Sequence, residues 1–247
     1  MAVHDFTSER LCVEADLAAD AAVVLTGEQA HYLLNVLRMA AGGEILVFNG
    51  RHGEWRARLE DIKKRSAGLR ILAQTRPQTG GPAIHYLFAP LKHARLDYMV
   101  QKAVELGVAR LSPVMTRRTV PGRVNIERMR LNAIEAAEQC GVLRIPQVDD
   151  VAALTRTVED WVAGGIPLIF CDEEAPVRNP IAALGALTAG PVAVLIGPEG
   201  GFDAEERRLL LSKPFVTALS LGPRIMRADT AAVAALTLVN ATLGDWR

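Results

Sequence analysis

The chain has 247 residues, half of them hydrophobic, and its 28 basic residues balance 28 acidic ones. This length and composition are those of an ordinary globular protein that can bury a substantial core in one or two domains. A net charge of zero argues against a protein that coats nucleic acid indiscriminately.

The three cysteines, Cys12, Cys140 and Cys171, are too few and too scattered for a disulfide framework, and they match no zinc-binding spacing. We therefore expect reduced thiols, no metal site and a cytoplasmic location. The N-terminal segment lacks the basic-then-apolar order of a secretion signal, and no run approaches the roughly 18 apolar residues of a membrane span. Neither export nor contact with a membrane is expected.

The first 75 residues are predicted to form a small β-rich domain with one helix. Thr26 and Gln29 have the spacing of a capping box. The helix that follows is predicted to end near Gly42 and to bury one face, which consists of Ala30, Leu33, Leu34 and Leu37.

Two strands joined by an Asn-Gly hairpin are predicted next, over residues 44–50 and 54–60. The second alternates apolar with charged residues, so it is predicted to be half-buried with an outer face of Glu54, Arg56, Arg58 and Glu60. A further strand over 68–74 completes a domain that can close into a barrel. Residues 75–83, TRPQTGGPA, have the composition of a linker.

After the linker, apolar strands alternate with helices, which predicts an α/β domain over 76–247 whose parallel sheet is covered on both faces. The strands are predicted over 84–90, 108–115, 167–172, 192–196 and 215–221. The helices are predicted over 93–107, 125–141, 150–161, 179–187, 203 onward and 229–244. Predicted caps of these helices are Asp150, Asn179 and Asp203, the last with Glu206.

Two glycine-proline loops, LIGPEGGF at 195–202 and LSLGPR at 219–224, each follow an apolar strand and precede a helix. In an open parallel sheet, ligands bind at the carboxyl ends of strands, where these loops and IFCDEE at 169–174 are expected to lie. The glycines either let the main chain approach a ligand or allow tight turns. Phe202 and Asp203 stand where a P-loop needs Lys and Ser or Thr, and no early G-x-G-x-x-G is present, so phosphate and Rossmann sites are disfavoured.

Basic residues are concentrated in one part of the chain. Residues 92–130 contain nine Lys or Arg and three Asp or Glu. Such an excess forms either a surface that contacts nucleic acid or a solvated helix face with a loop, and the sequence leaves both readings open.

The blocks LIGPEGGF and LSLGPRIMRADTAA, preceded by QKAVELGV and EAAEQCG, resemble the RsmE family of ribosomal RNA methyltransferases in the SPOUT superfamily. HYLLNVLRMAAGGEILVFNG is similar to that family's N-terminal PUA-like β-barrel domain. The resemblance implies methylation of N3 of one uridine in 16S rRNA of the small ribosomal subunit by S-adenosylmethionine, in a homodimer. It also implies a trefoil knot in the C-terminal domain, with the cofactor bound in the knot.

Carried over by position, the resemblance assigns two walls of the cofactor pocket. One consists of Gly197, Pro198, Glu199, Gly200 and Gly201, and the other of Leu221, Gly222, Ile225 and Met226. The apolar members of the second wall suit an adenine, although core packing explains them equally well.

Methyl transfer to N3 of uridine requires that the base lose its proton, so the site needs a base or a cation that stabilises charge on O2 and O4. Arg227 directly follows the second loop and is the candidate cation; the alternative is a salt bridge to Asp229 or Glu199. Glu199 is a candidate base or sulfonium partner, and alternatively it caps backbone amides.

The chain departs from the family pattern at two places. RADT at 227–230 replaces the usual RTET, so Asp229 is not assigned a catalytic role. In EQCGVLRIP at 138–146, Val142 stands where a basic residue is usual, while Arg144 keeps the second one. Glu138 and Gln139 either border the pocket or only cap and solvate the helix end.

Arginines in both predicted domains are candidates for RNA phosphate contacts, although each singly is as well explained as a surface charge. They are Arg10, Arg38, Arg51, Arg56, Arg58, Arg117, Arg118, Arg123 and Arg144.

Four functions compete at this point. The near-complete loops favour an enzyme over an RNA-binding assembly factor that has lost the chemistry, and a methyltransferase acting on another RNA is a further possibility. A nucleotide hydrolase would need phosphate or metal ligands that the sequence lacks.

Overall fold

The structure, a computed structural model, describes residues 5, 7–161, 165–176 and 179–246. The chain divides into two compact units. The first contains Met1–Thr79 and Ala137–Ile145, and the second contains Gly80–Ala136 and Pro146–Arg247. The predicted domains, 1–75 and 76–247, differ from these units chiefly because Ala137–Ile145 returns to the first unit.

The first unit contains a five-stranded sheet and a short helix. These elements are β1 (Arg10–Cys12), β2 (Ala22–Thr26), α1 (Gly27–His31), β3 (Glu44–Phe48), β4 (Glu54–Lys63) and β5 (Ser66–Arg76). The sheet order is β1-β3-β4-β5-β2, with β1 parallel to β3 and the other pairs antiparallel. The predicted strands and hairpin are confirmed. No pairing of β1 with β2 occurs among the described residues, so closure into a barrel stays a prediction.

The predicted capping box and helix length are wrong. Thr26 is the N-cap residue of α1 but makes no side-chain cap hydrogen bond, and the Gln29 side chain donates to the Cys12 carbonyl at 2.7 Å. The helix continues only as a π-helical turn over Tyr32–Val36. Arg38 then adopts a left-handed backbone conformation with φ of 54°, which ends the helix well before Gly42.

The prediction that Glu54 lies on the exposed outer face of β4 is wrong, since this residue is only 1% exposed. A register shift between Glu54 and Trp55 in the β4–β5 pairing interrupts the alternation on which the prediction relied. The carboxylate accepts hydrogen bonds from Arg10 Nε at 2.9 Å and from Arg76 Nε and Nη2 at 3.0 and 2.6 Å. The Arg76 guanidinium also donates to the Gly141 carbonyl at 3.0 Å, so this ion cluster fixes the returning segment.

The second unit alternates strands and helices, as predicted. The strands are β6 (Ile84–Phe88), β7 (Arg110–Met115), β8 (Gln147–Val148), β9 (Ala152–Ala153), β10 (Leu168–Cys171), β11 (Val192–Ile196) and β12 (Val216–Leu219). The helices are α2 (His93–Glu105), α3 (Ile126–Cys140), α4 (Leu154–Glu159), α5 (Pro180–Gly185), α6 (Ala204–Leu211) and α7 (Ala228–Thr242). The last four residues of α3 belong to the first unit.

The strands of the second unit form a parallel sheet in the order β12-β10-β11-β6-β7-β8, with β9 added beside β7. All five residues of β11 are buried. Phe170 and Leu195 pack with Leu154 of α4 and Leu210 of α6. Tyr86 of β6 instead donates its hydroxyl hydrogen to Met99 Sδ of α2, so helices cover the sheet on two sides.

The predicted helix caps have different outcomes. Asn179 Oδ1 accepts from the backbone N–H of Ile181 at 3.0 Å, and Asp203 forms a capping box with Glu206; both predictions are confirmed. Asp150 caps no helix, because Ala152–Ala153 pair with β7 and α4 begins only at Leu154. Within the described ranges, no helix combines the length and apolar character needed to cross a membrane.

Candidate active site

A cavity of about 510 Å³ opens at the carboxyl ends of β10, β11 and β12. Because β10 lies between β11 and β12, the loops that follow the three strands are brought side by side. The cavity is lined by residues of 171–174, 196–202 and 219–228, with Arg207 and Ala231. The sheet order therefore explains why the two glycine-proline loops meet.

The structure brings together nearly all the residues assigned to the cofactor pocket. Those that line the cavity are Gly197, Pro198, Glu199, Gly201, Leu221, Gly222, Ile225 and Met226. Gly200 does not line it, and its carbonyl accepts from Arg118 Nη1 at 2.8 Å. Ile225 is 89% exposed, so core packing does not account for it. The binding role of these residues stays a prediction.

Two glycines of the first loop have specific structural requirements. A Cβ atom at Gly197 would lie 2.4 Å from a ring carbon of Phe202, which packs edge-on against Phe170 in the core. Gly201 has a φ of 67°, in the left-handed region that favours glycine. Gly197 thus permits close packing of the loop, whereas Gly201 permits its turn.

Arg95, in the first turns of α2, binds two carboxylates: Glu199, which lines the cavity, and Asp229, in the first turn of α7. Its Nε and Nη2 donate to the two oxygens of Asp229 at 2.9 and 3.0 Å, and its Nη1 contacts Glu199 Oε1. These hydrogen bonds lower the pKa of Asp229 against the opposing effect of burial. From the sequence, Arg95 was identified only as a member of the basic segment 92–130. Its role in the site could not be predicted, because its partners are more than 100 residues away.

Arg227 is exposed, precedes the first residue of α7 and lines the cavity. Among the described residues, no carboxylate lies within salt-bridge distance of its guanidinium. The alternative of an ion pair with Asp229 or Glu199 is wrong, because Arg95 occupies both carboxylates. A catalytic role for Arg227 or Glu199 is neither tested nor contradicted by this arrangement.

The loop after β10 adds an acidic edge to the cavity that the site assignment lacked. Asp172 is 5% exposed and accepts from Arg207 Nε at 3.0 Å, while Glu174 lies 3.3 Å from Arg207 Nη1. Burial raises the pKa of the neighbouring Cys171 thiol to about 12, so this thiol is protonated. The signal for this edge was the acidic run directly after a predicted buried strand.

The candidate RNA contacts in the first unit differ in exposure. Arg10 is only 8% exposed and forms an ion pair with Glu54, so its guanidinium is not available for a phosphate contact. Arg51 pairs with Asp16 at 2.9 Å. The others are exposed or half-buried: Arg38, Arg56, Arg58 and Arg144.

The candidates in the second unit are largely engaged with neighbouring groups. Arg117 pairs with Asp203 at 2.9 Å and with Glu205, and Arg118 binds the Gly200 carbonyl. Arg123 is exposed beside a smaller cavity of about 320 Å³. The basic excess of 92–130 is therefore partly neutralised by acids from elsewhere in the unit.

Glu138 and Gln139 were assigned either to the pocket border or to the helix end. Glu138 Oε1 accepts from the backbone N–H of Cys12 at 2.8 Å, within the first unit, and Gln139 is exposed. Glu138 thus holds β1, a tertiary contact that neither reading included.

Comparison with known proteins gives consistent matches along the chain. Residues 79–240 match the family described as RNA methyltransferase domain, and residues 25–72 match the RNA methyltransferase PUA domain. The chain is 30% identical to ribosomal RNA small subunit methyltransferase E of Rickettsia conorii over 93% of this chain and 94% of that protein. It is 33% identical to the protein of the same name from Synechocystis, over 95% of this chain and 78% of that protein.

A solved structure is similar over the same length. The crystal structure of ribosomal RNA small subunit methyltransferase E from Neisseria gonorrhoeae bound to S-adenosyl methionine superposes with a TM-score of 0.86 at 26% identity. The match covers 97% of this chain and 100% of that one. The chain therefore belongs to the ribosomal RNA small subunit methyltransferase E family.

Proposed function

We propose that this protein transfers the methyl group of S-adenosylmethionine to N3 of one uridine in 16S rRNA of the small ribosomal subunit. The observation that carries the proposal is the cavity in which both glycine-proline loops meet, in a chain whose relative from Neisseria holds that cofactor. Uridine N3 as the acceptor follows from the family resemblance.

The residues of the cavity fit the cofactor. Its volume of about 510 Å³ lies within the roughly 300–1,000 Å³ of small-molecule sites. Leu221, Ile225 and Met226 offer apolar surface to an adenine, and the main chain at Gly197 and Gly201 offers hydrogen-bonding groups. Carboxylates at the rim suit a cationic ligand. When bound, the cofactor supplies an electrophilic methyl group on a sulfonium.

The chain's own residues position the acceptor and manage its charge. The Arg227 guanidinium presents a planar set of donors to the uracil oxygens, where negative charge accumulates once N3 loses its proton. Glu199 is the candidate to receive that proton or to face the sulfonium. Its contact with Arg95 keeps it oriented at the cavity wall.

The proposal extends to the architecture. The first unit is a PUA-like barrel that contacts RNA, which the match of residues 25–72 supports. The second unit is a SPOUT domain with a trefoil knot, and two copies form a homodimer; both statements rest on the family resemblance. A ribosomal substrate places the reaction in the cytoplasm.

The experiment that tests the proposal combines cofactor binding with product mapping. The protein is incubated with labelled S-adenosylmethionine and small subunits from a methylation-deficient host, and the modified nucleotide is mapped. We expect a single N3-methyluridine in 16S rRNA. Label on a tRNA or on a ribose oxygen would refute the substrate assignment. RNA binding without any transfer would favour the inactive assembly factor.

Gly197→Ala is expected to weaken cofactor binding by about tenfold, because the new methyl group displaces the Phe202 ring and with it the first loop. The same overpacking lowers the free energy of unfolding by about 1–3 kcal/mol. Calorimetric titration and thermal denaturation measure the two effects. Gly185→Ala in α5 is the matched control, since a Cβ there meets nothing within 4 Å. Unchanged affinity in the folded Gly197→Ala variant would contradict the proposed role of the loop.

A further inference from the structure

All three guanidinium nitrogens of Arg95 contact carboxylates, one in the cavity wall and one in the first turn of α7. Nε and Nη2 bind the two oxygens of Asp229, and Nη1 contacts Glu199. The Asp229 side chain is 17% exposed and the Glu199 side chain 47%, so the two-point bond to Asp229 is the less solvent-screened interaction. Arg95 therefore directs three of its five N–H donors to these two carboxylates.

Arg227 lies where the same carboxylates would attract it. It is two residues before Asp229 and lines the same cavity as Glu199. Within the described part of the chain it has no carboxylate partner. An exposed guanidinium beside an unpaired carboxylate forms a charge-assisted hydrogen bond, and such a bond would turn Arg227 away from the substrate.

We infer that Arg95 is a positioning residue: by occupying Asp229 and Glu199, it keeps the Arg227 guanidinium available to the RNA substrate. This inference rests on the proposed function, because the substrate is the group that Arg227 would meet. The competing explanation is that Arg95 only links the loop that contains Glu199 to the start of α7. In that case its loss would weaken cofactor binding and would act independently of Arg227.

Five variants separate these explanations: the single variants Arg95→Ala, Arg227→Ala and Asp229→Asn, and the doubles Arg95→Ala/Arg227→Ala and Arg95→Ala/Asp229→Asn. At saturating S-adenosylmethionine, Arg95→Ala is expected to slow single-turnover methyl transfer by roughly tenfold or more, with cofactor affinity changed by less than about threefold. Arg95→Ala/Arg227→Ala should be no slower than Arg227→Ala, because residues that act through one group are not additive. Arg95→Ala/Asp229→Asn should recover part of the rate.

A crystal structure of the Arg95→Ala variant without RNA gives a readout that does not depend on activity. It is expected to show Arg227 bound to Asp229 or Glu199. Asp229→Asn removes the carboxylate charge that would attract Arg227 and should retain most of the wild-type rate, which keeps the inference testable if Arg95→Ala does not fold. Arg156→Ala, which removes an exposed pair with Asp160, is the control for loss of an arginine.

The inference is overturned if adding Arg95→Ala slows methyl transfer by the same factor in the Arg227→Ala variant as in the wild type. It is also overturned if Arg95→Ala weakens cofactor binding but does not slow methyl transfer. A rate of Asp229→Asn as low as that of Arg95→Ala would also overturn it. A wild-type protein that transfers no methyl group refutes the proposed function instead. Active wild-type protein with an unimpaired Arg95→Ala variant refutes the inference but leaves the function standing.

Discussion

Replacing Arg227 by alanine is expected to slow methyl transfer by roughly 10²-fold or more, the typical cost of removing one donor aimed at charge that develops in the transition state. Affinity for S-adenosylmethionine should change by less than about threefold, because the cavity is built mainly by the two glycine-proline loops and, among the residues that the structure describes, Arg227 forms no ion pair with them. Single-turnover assays at saturating cofactor, together with calorimetric titration, measure the two quantities separately.

The controls for this prediction are a conservative variant and a distant one. Arg227→Lys keeps the charge but loses the planar set of donors, so an intermediate rate is expected. Arg156→Ala removes an arginine whose side chain is 81% exposed and should leave the rate unchanged. Equal losses of rate and cofactor affinity in Arg227→Ala would mean that Arg227 only builds the pocket.

Glu54→Gln is expected to lower the free energy of unfolding by about 3–5 kcal/mol, since it removes the buried carboxylate charge that two largely buried guanidinium groups share. Urea denaturation with an unchanged m-value measures this loss. Glu60 lies on the same strand as Glu54 and forms an exposed ion pair with Arg70. Glu60→Gln should lower the free energy of unfolding by less than about 1 kcal/mol. Similar losses of stability in the two variants would show that the buried position of the Glu54 ion pairs adds nothing to the free energy of unfolding.

The pH dependence of stability gives a second measure of Glu54. Burial raises the pKa of this carboxyl, but hydrogen bonds from Arg76, Thr75 and Arg10 outweigh burial, and the pKa lies below the ordinary 4.5. The folded pKa is therefore lower than the unfolded one, so the stabilisation is fully present above pH 4.5 and is lost as the pH falls through the folded pKa. Glu54→Gln should lose this part of the acid dependence.

Local patterns were sufficient to predict most elements of the second unit. The unbroken apolar run of β11 predicted a strand buried on both faces, and Asp203 with Glu206 predicted the start of α6. Each of these features is decided by neighbours within a few residues. The two glycine-proline loops were likewise predicted to lie at the same edge of one parallel sheet, because both follow its strands. That they form two walls of one pocket was implied by the family resemblance.

The wrong predictions are those in which a distant partner competed with a local one. The Gln29 side chain binds the Cys12 carbonyl instead of closing a capping box, and Ala152 pairs with Val114 instead of extending α4 towards Asp150. Glu54 turns inward because two arginines from other strands meet it there. The sequence shows that these residues are present, but it does not show which of them pair in the folded chain.

Within the candidate site, the contacts of Arg95 could not be predicted for the same reason. Its contacts with Glu199 and Asp229 span more than 100 residues, so spacing along the chain gave no indication of them. Only the sheet order, which places the loops after β11 and β12 on either side of β10, brings these groups together.

The first unit is not one continuous stretch of the chain, because Ala137–Ile145 completes it. A fragment that stopped at Thr79 would lack the Glu138 carboxylate that accepts from Cys12 and the Gly141 carbonyl that accepts from Arg76. Neither unit can thus be excised by a single cut in the gene. We expect the two to be inherited together, and a recombination event at the linker to yield a product that folds poorly.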